Sequence, residues 1–351
     1  MSDLTNKRAL VVGGAGFVGS NLVKLLLAGE AAAVTVVDNL LSAEKVNVPA
    51  DPRVTFVEGS IADDAVLARV HDEFDYIFHL ATYHGNQSSI HDPIADHANN
   101  TITTLKLMNY CQGFKKLQKL VYSSAGCAAA EKTFDTASAT TEEAPISLIQ
   151  DSPYSISKIV GEFYAVYFHR QHNLPTVRAR FQNVYGPGEI LGAGRWRGTP
   201  ATVFRNVTPT FVYKALKHQQ LPLQNNGVAT RDFIFVEDIG RGLIACALRG
   251  KPGDVYNIAT GREHSIRELA DLINELTANP AGVQLLPRRE WDHSGKRFGS
   301  AEKSRRELRF EAQVDLRTGL GRTIDWTRQN LSLIESCMHK HDAQMAAAGA
   351  L

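Results

Sequence analysis

The chain has 351 residues, of which 44% are hydrophobic and 21% charged, and its formal net charge is +1. Because positive and negative charges nearly balance, the sequence lacks the overall excess of basic residues that is typical of proteins that bind nucleic acid or an anionic membrane. The sequence contains no run of about 20 apolar residues, the length that a membrane-spanning helix needs. We expect a globular protein with two domains, or with one large domain and a lobe.

The first half of the sequence alternates short apolar runs with longer amphipathic stretches, which is typical of βαβ units around a parallel sheet. The predicted strands are Ala9–Val12, Ala33–Val37, Val54–Glu58, Tyr76–Leu80, Leu120–Ser123 and Thr176–Arg180. The predicted helices are Val18–Ala28, Ala62–Val70, Ala98–Cys111 and Tyr154–His172. Continuously apolar strands such as the first two indicate a sheet that helices cover on both faces.

The character of the sequence changes after Pro187, where Gly, Pro, Thr and Arg become frequent and the apolar periodicity weakens. Later strand patterns lie at Asp232–Val236 and Val255–Ile258, and later helical patterns at Ile266–Leu276 and Leu316–Asn330. We therefore expect an α/β fold, with a Rossmann-type doubly wound parallel sheet and a smaller C-terminal substrate-binding lobe.

A glycine-rich turn follows the first predicted strand directly and opens the first predicted helix. It places Gly13, Gly16 and Gly19 in a Gly-x-x-Gly-x-x-Gly spacing, with Phe17 and Val18 between the last two. Such glycines permit a tight turn, close approach of the backbone to a pyrophosphate, and close helix-on-strand packing. Because the helix N-terminus also offers free N–H groups to phosphates, the turn predicts a dinucleotide-binding site.

Asp38 closes the second predicted strand, about 20 residues beyond the glycine turn. A carboxylate at this position accepts hydrogen bonds from the adenosine ribose hydroxyls and repels a 2′-phosphate. The residues that follow, Asn39 and Leu40, are not basic. The sequence therefore favours NAD over NADP as the cofactor.

Tyr154 and Lys158 form a Tyr-x-x-x-Lys pair within a predicted helix. The i, i+4 spacing places both side chains on one face of that helix. A lysine ammonium close to a phenol favours the phenolate and lowers its pKa, so the tyrosine can act as a base near neutral pH. Because the pair lies downstream of a dinucleotide site in the same predicted sheet, we interpret it as catalytic.

Taken together, these motifs resemble those of the extended short-chain dehydrogenase/reductase family, in particular its NAD-dependent nucleotide-sugar epimerases and dehydratases. The resemblance extends roughly from Arg8 to Gln329. The motifs that carry it are Gly13–Gly19, Asp38, His79-Leu80-Ala81, Tyr154 with Lys158, Asn183-Val184-Tyr185-Gly186-Pro187 and Arg231-Asp232-Phe233. Within this family the chain is most similar to epimerase-like proteins of bacterial surface-polysaccharide pathways.

The resemblance implies a mechanism. Tyr154 would remove the proton from a sugar hydroxyl, commonly at C4, while hydride passes to NAD. The 4-keto intermediate would turn in the pocket and take the hydride back on its other face. The implied substrate is a UDP-hexose, a UDP-N-acetylhexosamine or a UDP-uronic acid, and NAD is not consumed. The family also implies a homodimer, built through a four-helix interface by the Ala98–Cys111 and Tyr154–His172 helices. The scattered cysteines, by contrast, indicate reduced thiols and therefore a cytoplasmic protein.

The family usually carries a Ser or Thr at the end of the strand before the catalytic tyrosine, where its hydroxyl bonds to the reacting hydroxyl. Alignment along that strand places either Ser124 or Ala125 at this position. We take Ser124 as the candidate. If Ala125 occupies the position, the role passes to a neighbouring serine or to water.

Family position implies the remaining binding residues. Further cofactor contacts would come from Asn39, Ser60, Ile61, Leu80 and Ala81, with Ser60 standing where the family often has an Asp near adenine. Contacts with the nucleotide-sugar would come from Asn183, Arg231, Arg297, His84 and Arg195.

Arginine forks suit phosphate oxygens because two N–H donors can engage at once. Arg231 and Arg297 are therefore assigned to the diphosphate. Arg195, with Arg197, could meet the carboxylate of a uronic acid or could be a charge on the lobe surface. His84 lies in a loop that is more polar here than is usual in the family.

The residues after Ser124 bear on the type of reaction. Sugar 4,6-dehydratases usually carry an Asp-Glu pair directly after the catalytic Thr, and UDP-glucuronate decarboxylases usually have a Glu in the same segment. Here Ala125-Gly126 follow instead. Epimerisation needs no such acid and is favoured. A dehydratase or decarboxylase of the same family, or a non-catalytic NAD-binding regulator, is the alternative.

The expected domain division follows from these assignments. Residues 1–185, with 231–260 returning to them, would form the NAD-binding domain. Residues 186–230 and 261–335 would form the substrate lobe, and 336–351 a C-terminal tail with a frayed, alanine-rich end. The start of the chain leads straight into a strand without a secretory leader, which agrees with the cytoplasmic expectation. The cysteines show no Cys-x-x-Cys pair and the histidines no metal-binding spacing, so no metal is expected.

Overall fold

The computed structural model of the protein describes residues 4–129, 133–290, 292 and 295–349. The first half contains β1 (Arg8–Val12), α1 (Phe17–Ala28), β2 (Ala33–Asp38), β3 (Val54–Glu58), α2 (Asp64–Leu67), β4 (Tyr76–His79), α3 (Asn86–His91), α4 (Pro93–Asp96), α5 (Thr103–Cys111), β5 (Lys119–Ala125), α6 (Gly126–Ala129), β6 (Ala139–Thr140), α7 (Pro153–His172) and β7 (Thr176–Phe181).

The second half contains β8 (Asn183–Tyr185), α8 (Val207–Leu216), β9 (Leu221–Gln224), β10 (Thr230–Arg231), β11 (Phe233–Phe235), α9 (Val236–Arg249), β12 (Val255–Ile258), β13 (His264–Ser265), α10 (Ile266–Thr277), β14 (Val283–Leu286), β15 (Phe298–Gly299), α11 (Glu302–Leu308), α12 (Leu316–Gln329), α13 (Leu331–His339) and α14 (Asp342–Ala347). None of the helices in the described ranges is both long and apolar enough to cross a membrane.

A parallel sheet forms the centre of the molecule, and its seven described strands lie in the order β12-β7-β5-β4-β1-β2-β3. Successive strand residues face opposite sides, so β1 sends Leu10 and Val12 to one face and Val11 to the other. Helices α1 and α9 cover the Val11 face, and α5 and α7 cover the Leu10 face. The predicted doubly wound Rossmann-type fold is confirmed.

A second core lies beyond the carboxyl edge of this sheet. Helices α8, α10 and α12 pack together around Tyr185, Phe211, Phe235, Leu269 and Leu320, which are all buried. Strand β11, which falls within the strand pattern expected at Asp232–Val236, pairs here with β8 rather than with the seven-stranded sheet. The helix that follows it, α9, returns to pack against α1.

Two predicted helices differ from the observed ones. The helix predicted over 62–70 is helical only in α2, because the chain turns inward after it to bury Val70 and Phe74 beside the sheet. The helix predicted over 98–111 begins as a π-helix over His97–Ile102 and becomes α5 at Thr103. The π-turn lies beside the loop after β4, where Asn100 Oδ1 accepts hydrogen bonds from the Tyr83 backbone N–H and the Thr82 hydroxyl.

The alanine-rich stretch 343–351 was expected to be frayed, but the structure forms α14 over Asp342–Ala347, directly after α13. Ile334 and Cys337 of α13 are buried against Ile190 and Leu191, and Met345 of α14 is buried. Apolar spacing within this short stretch is thus sufficient to seat it on the loop after β8. The expectation of a frayed end was wrong for residues 343–347, which are helical.

Candidate active site

A cavity of about 400 Å³ opens at the carboxyl edge of the sheet, where the strand order reverses between β1 and β4. This topological switch point is the place where doubly wound sheets bind their ligands. The predicted site residues that line the cavity are Gly13, Gly16, Phe17, Val18, Gly19, Asp38, Asn39, Ser60, Ile61, Leu80, Ala81, His84, Ser124, Tyr154, Lys158, Asn183 and Arg297. Arg195 and Arg231 are not among its lining residues.

The glycine turn after β1 can approach a ligand closely. Gly13 has a φ of 86°, and a Cβ at that residue would stand 2.5 Å from the Ala81 backbone nitrogen. Helix α1 begins at Phe17 with Gly16 as its N-cap, and within the described residues no side chain caps it and no acid lies in its first turn. The first N–H groups of the helix are therefore available to a phosphate.

Asp38 holds the loop that follows β2. Its carboxylate accepts hydrogen bonds from the Leu40 N–H at 2.9 Å and from the Ala15 N–H at 3.0 Å. Burial raises the pKa of Asp38, and these backbone donors oppose that shift. The Gly16 N–H is a third backbone donor to this carboxylate, which with two oxygens still has lone-pair capacity for a ribose hydroxyl. Ser60 and Ile61 line the same end of the cavity after β3.

Tyr154 and Lys158 lie on the first turns of α7. The helix begins at Pro153, and the hydroxyl of its N-cap, Ser152, accepts a hydrogen bond from the Ser155 N–H at 3.3 Å. Lys158 is buried, and its ammonium donates to the Ser123 carbonyl at 3.0 Å and lies 5.9 Å from the centre of the Tyr154 ring. The ammonium is thus held beside the phenol, as the predicted chemistry requires.

The Ser124 hydroxyl is hydrogen-bonded to Glu162, which is not one of the predicted site residues. It donates to Glu162 Oε1 at 2.5 Å, and Glu162 forms a buried ion pair with Arg180. Burial would raise the pKa of Glu162, but Arg180 and the other donors hold it below its ordinary value, so Glu162 accepts as a carboxylate. The next residue along the strand, Ala125, brings only a methyl group to the cavity wall.

A chain of polar side chains lies on the cavity wall near Tyr154. The His84 ring stands edge-on to the Tyr154 ring, with centres 6.1 Å apart, and His84 Nε2 lies 3.3 Å from Asn206 Oδ1. Asn206 Nδ2 donates in turn to Glu189 Oε1. Burial raises the pKa of Glu189 to about 7, and it lowers the pKa of His84 to about 4, with Arg205 adding to the second shift.

Three arginines of the segment before α8 bind the loop after β2. Arg195 donates to the Asn39 carbonyl at 3.2 Å, Arg197 to the Ser42 hydroxyl at 3.0 Å, and Arg205 to the Ser42 carbonyl at 2.9 Å. These bonds tie the lobe to the dinucleotide end of the cavity. Arg205 also lines the cavity, whereas Arg195 and Arg197 do not.

The two arginines assigned to the diphosphate occupy different environments. Arg297 lines the cavity, and its backbone N–H donates to the Thr230 hydroxyl at 3.3 Å. Arg231 is buried and donates to the Thr230 carbonyl at 2.6 Å and to the Gly295 carbonyl at 2.7 Å. The bond to Gly295 ties Arg231 to the segment that precedes Arg297.

Sequence reasoning missed several residues of the cavity wall, and the charged or amide-bearing ones that bear on the chemistry include Glu189, Arg205, Asn206 and Arg289. Glu189 stands two residues beyond the Asn-Val-Tyr-Gly-Pro motif, and that nearness was the available signal. Arg205 and Asn206 directly precede α8, in a segment without apolar periodicity. Nothing in their local pattern distinguishes them from surface residues. Of the described residues, no cluster of three His, Cys, Asp or Glu side chains could hold a metal ion.

Known proteins share both the sequence and the architecture of this chain. Residues 9–259 match the NAD dependent epimerase/dehydratase family. A crystal structure of the Bordetella bronchiseptica enzyme WbmF in complex with NAD+ and UDP is 64% identical, covers 99% of this chain and 100% of that one, and superposes with a TM-score of 0.90.

More distant relatives include enzymes named for different reactions. A putative UDP-glucose 4-epimerase of Methanocaldococcus jannaschii is 29% identical over 92% of this chain and 98% of its own length. A dTDP-glucose 4,6-dehydratase of Streptomyces antibioticus is 30% identical over 92% of each chain. The family match covers more than half of the sequence, and the chain belongs to the NAD dependent epimerase/dehydratase family.

Proposed function

We propose that this protein is an NAD-dependent epimerase of a UDP-linked sugar. It acts at C4 of a hexose, an N-acetylhexosamine or a uronic acid through a transient 4-keto intermediate, in the synthesis of a surface-polysaccharide precursor. One observation carries the proposal: Tyr154 and Lys158 line the same cavity as the glycine turn and Asp38. The similarity to WbmF, which was crystallised with NAD+ and UDP, supports the choice of UDP.

NAD is the cofactor of this family, and the residues of this chain fit it. The turn at Gly13 and Gly16 would admit the pyrophosphate, the partial positive charge at the N-terminus of α1 would attract it, and the Asp38 carboxylate would accept hydrogen bonds from the ribose hydroxyls. When bound, NAD accepts a hydride from the sugar and gives it back. Every other step falls to side chains of the chain itself.

Tyr154 takes the proton of the reacting hydroxyl in our proposal. The Lys158 ammonium favours the phenolate, and its bond to the Ser123 carbonyl fixes it beside the ring. The proton returns from Tyr154 when the ketone is reduced on its other face. Asn183 and Arg297 contact the diphosphate from the cavity wall, and Arg231 acts indirectly by holding the segment before Arg297.

The acids of the cavity favour epimerisation over elimination of water. The two acidic residues among those that line the described cavity are Asp38, at the dinucleotide end, and Glu189, which Asn206 engages. Neither lies in the segment directly after Ser124, where the dehydratases of the family usually carry their acid pair and where this chain has Ala125-Gly126. A dehydratase or decarboxylase is the alternative, since relatives with those names match most of this chain.

The deciding experiment incubates the purified protein with a panel of UDP-, GDP- and dTDP-sugars and analyses the products by mass spectrometry and NMR. A product of unchanged mass with altered ring couplings supports the epimerase and identifies its carbon. Loss of water or of carbon dioxide contradicts it and assigns the chain to the dehydratases or decarboxylases. Absence of any product across the panel would favour a non-catalytic NAD-binding regulator.

A homodimer through the helices around α5 and α7 is part of the proposal. Large apolar side chains on this side are exposed in the single chain, among them Ile94 at 77%, Phe163 at 59% and Tyr167 at 52%. A second copy that packs the same face against this one would remove them from water and form a four-helix contact. Light scattering tests this, and a monomeric mass at micromolar concentration would contradict it.

A further inference from the structure

Three cavity-lining residues from distant parts of the chain form one hydrogen-bonded series: His84, Asn206 and Glu189. His84 lies in the loop after β4, Asn206 occupies the N-cap position of α8 without a side-chain capping bond, and Glu189 follows β8. Glu189 is buried, and its Oε2 has no hydrogen-bond partner among the described residues. The catalytic steps proposed above use none of the three.

The carboxyl group of Glu189, at the end of the series, determines which atom donates and which accepts in each hydrogen bond. Glu189 accepts from Asn206 through Oε1 both as a carboxylate and when its proton lies on the unpartnered Oε2, so the Asn206 amide turns its nitrogen toward Glu189. Its carbonyl oxygen then faces His84 and can only accept, which requires a proton on His84 Nε2. The ring is neutral at physiological pH because burial lowers the pKa of His84 to about 4. The other ring nitrogen, Nδ1, therefore carries a lone pair.

His84 is placed where the sugar must lie in the proposed reaction. Its ring lines the cavity and stands edge-on to that of Tyr154, at an angle of 76° between the ring planes. The reacting hydroxyl gives its only proton to Tyr154, so an acceptor beside Tyr154 serves a different group of the sugar. The group that suits a bare imidazole nitrogen is a hydrogen-bond donor, either a hydroxyl or an amide N–H.

We propose that His84 Nδ1 selects the substrate by accepting a hydrogen bond from a hydroxyl or acetamido N–H that the sugar carries beside the reacting carbon. Asn206 and Glu189 are positioning residues that hold His84 in the required tautomer. This inference rests on the proposed function, because it takes the sugar of a UDP-sugar to lie against Tyr154. It adds which substituent the enzyme requires and which residues enforce that requirement.

Binding measurements test the substituent. Calorimetry compares UDP and a UDP-sugar on the NAD-loaded wild type and on His84→Phe, with His71→Phe, an exposed histidine remote from the cavity, as the matched control. We expect His84→Phe to weaken UDP-sugar binding by about tenfold, the effect of one lost hydrogen bond, and to leave UDP binding unchanged. Deoxy analogues that lack the donor should bind wild type and His84→Phe equally. If His84→Phe bound the UDP-sugar as tightly as the wild type does, the proposal would be overturned.

Nitrogen-15 NMR tests the tautomer without relying on turnover, with the His84 signal assigned by its absence from His84→Phe. We expect Nε2–H in the wild type, and a mixture of tautomers in Glu189→Leu, whose leucine leaves the Asn206 amide free to turn. Glu189→Gln keeps an oxygen that can accept and should recover most of the sugar affinity that Glu189→Leu loses. Nδ1–H in the wild type would refute the inference. If the sugar panel gave no epimerised product, the proposed function would fail. The calorimetry and the NMR experiment would still decide whether His84 accepts a hydrogen bond from the sugar, because neither depends on turnover.

Discussion

The two ends of the cavity are built in different ways. At the dinucleotide end the backbone N–H groups, the glycines and the one carboxylate lie within the unit from β1 to β2, and Ser60 and Ile61 join them after β3. At the sugar end the wall comes from His84 after β4, Glu189 and Asn206 between β8 and α8, and Arg297 just before β15. One end therefore depends on local backbone geometry and the other on the packing of the lobe against the sheet. Substitutions at the two ends should fail in different ways.

The largest effect should come from Tyr154→Phe at the boundary between the two ends. Removal of the phenolic hydroxyl removes the proposed base, so turnover should fall by about 10³-fold, within the range for loss of general base catalysis. NAD content after gel filtration should stay that of the wild type, because the glycine turn and Asp38 are unchanged. A variant that turns over at a comparable rate would remove Tyr154 from the mechanism. Turnover is measured by NMR of the sugar that the panel identifies.

At the sugar end, the burial of Glu189 should make the stability of the folded protein depend on pH. The folded-state pKa of Glu189, raised to about 7, lies above its value of 4.5 in the unfolded chain. The folded protein thus binds the extra proton between these two values, and stability falls as the pH rises from 4.5 to about 7. Glu189→Gln cannot ionise, so it should lack this component, which amounts to about 3 kcal/mol at most.

Urea unfolding of the wild type and of Glu189→Gln across this pH window measures that difference. The gap in unfolding free energy between the two proteins should change steadily with pH, in favour of the variant as the pH rises. Other buried acids, such as Asp232 with a pKa raised to about 6, titrate in both proteins and cancel in the comparison. A pH-independent gap would show that Glu189 ionises normally in the folded state.

The dinucleotide end should instead respond to a single methyl group. Gly13→Ala adds a Cβ that would lie 2.5 Å from the Ala81 nitrogen, at a residue whose φ is 86°. The steric overlap with Ala81 and the unfavourable φ both strain the turn, so we expect the free energy of unfolding to fall by about 2 kcal/mol and NAD to bind more weakly. Gly321→Ala in α12 is the matched control, since its Cβ would meet no atom within 4 Å and alanine favours a helix. Equal thermal shifts for both variants would contradict this account of the turn.

The same contrast between the two ends explains which features of the fold and of the site could be predicted from the sequence. The sheet, the family and NAD were predicted correctly because apolar strands, the glycine spacing and Asp38 are local patterns with a direct physical meaning. The wall at Glu189 and Asn206 was not predicted, because its residues acquire a role only when the segments that carry them meet.

Residues transferred by family position had a mixed outcome at the sugar end. Arg297 lines the cavity, whereas Arg195 bonds to the loop after β2 and Arg231 to backbone carbonyls. The Ser124 hydroxyl is held by Glu162, a partner 38 residues away that the strand pattern could not disclose. Their functional roles stay predictions. Side chains with several available partners are placed by tertiary contacts, which a motif does not contain.

The smallest effect should come from the charge at Asp38. Asp38→Asn keeps the shape and one acceptor, but it loses the charge that favours ribose hydroxyls and repels a 2′-phosphate. We expect NAD affinity to fall about tenfold, while the preference for NAD over NADP narrows by a larger factor, because removing the charge also relieves the repulsion. Fluorescence titration of the cofactor-stripped protein with both dinucleotides measures the two affinities. An unchanged ratio of affinities would mean that the backbone of the β2 loop, and not the carboxylate, excludes NADP. The dinucleotide end would then depend entirely on backbone geometry, and the contrast with the sugar end would be sharper.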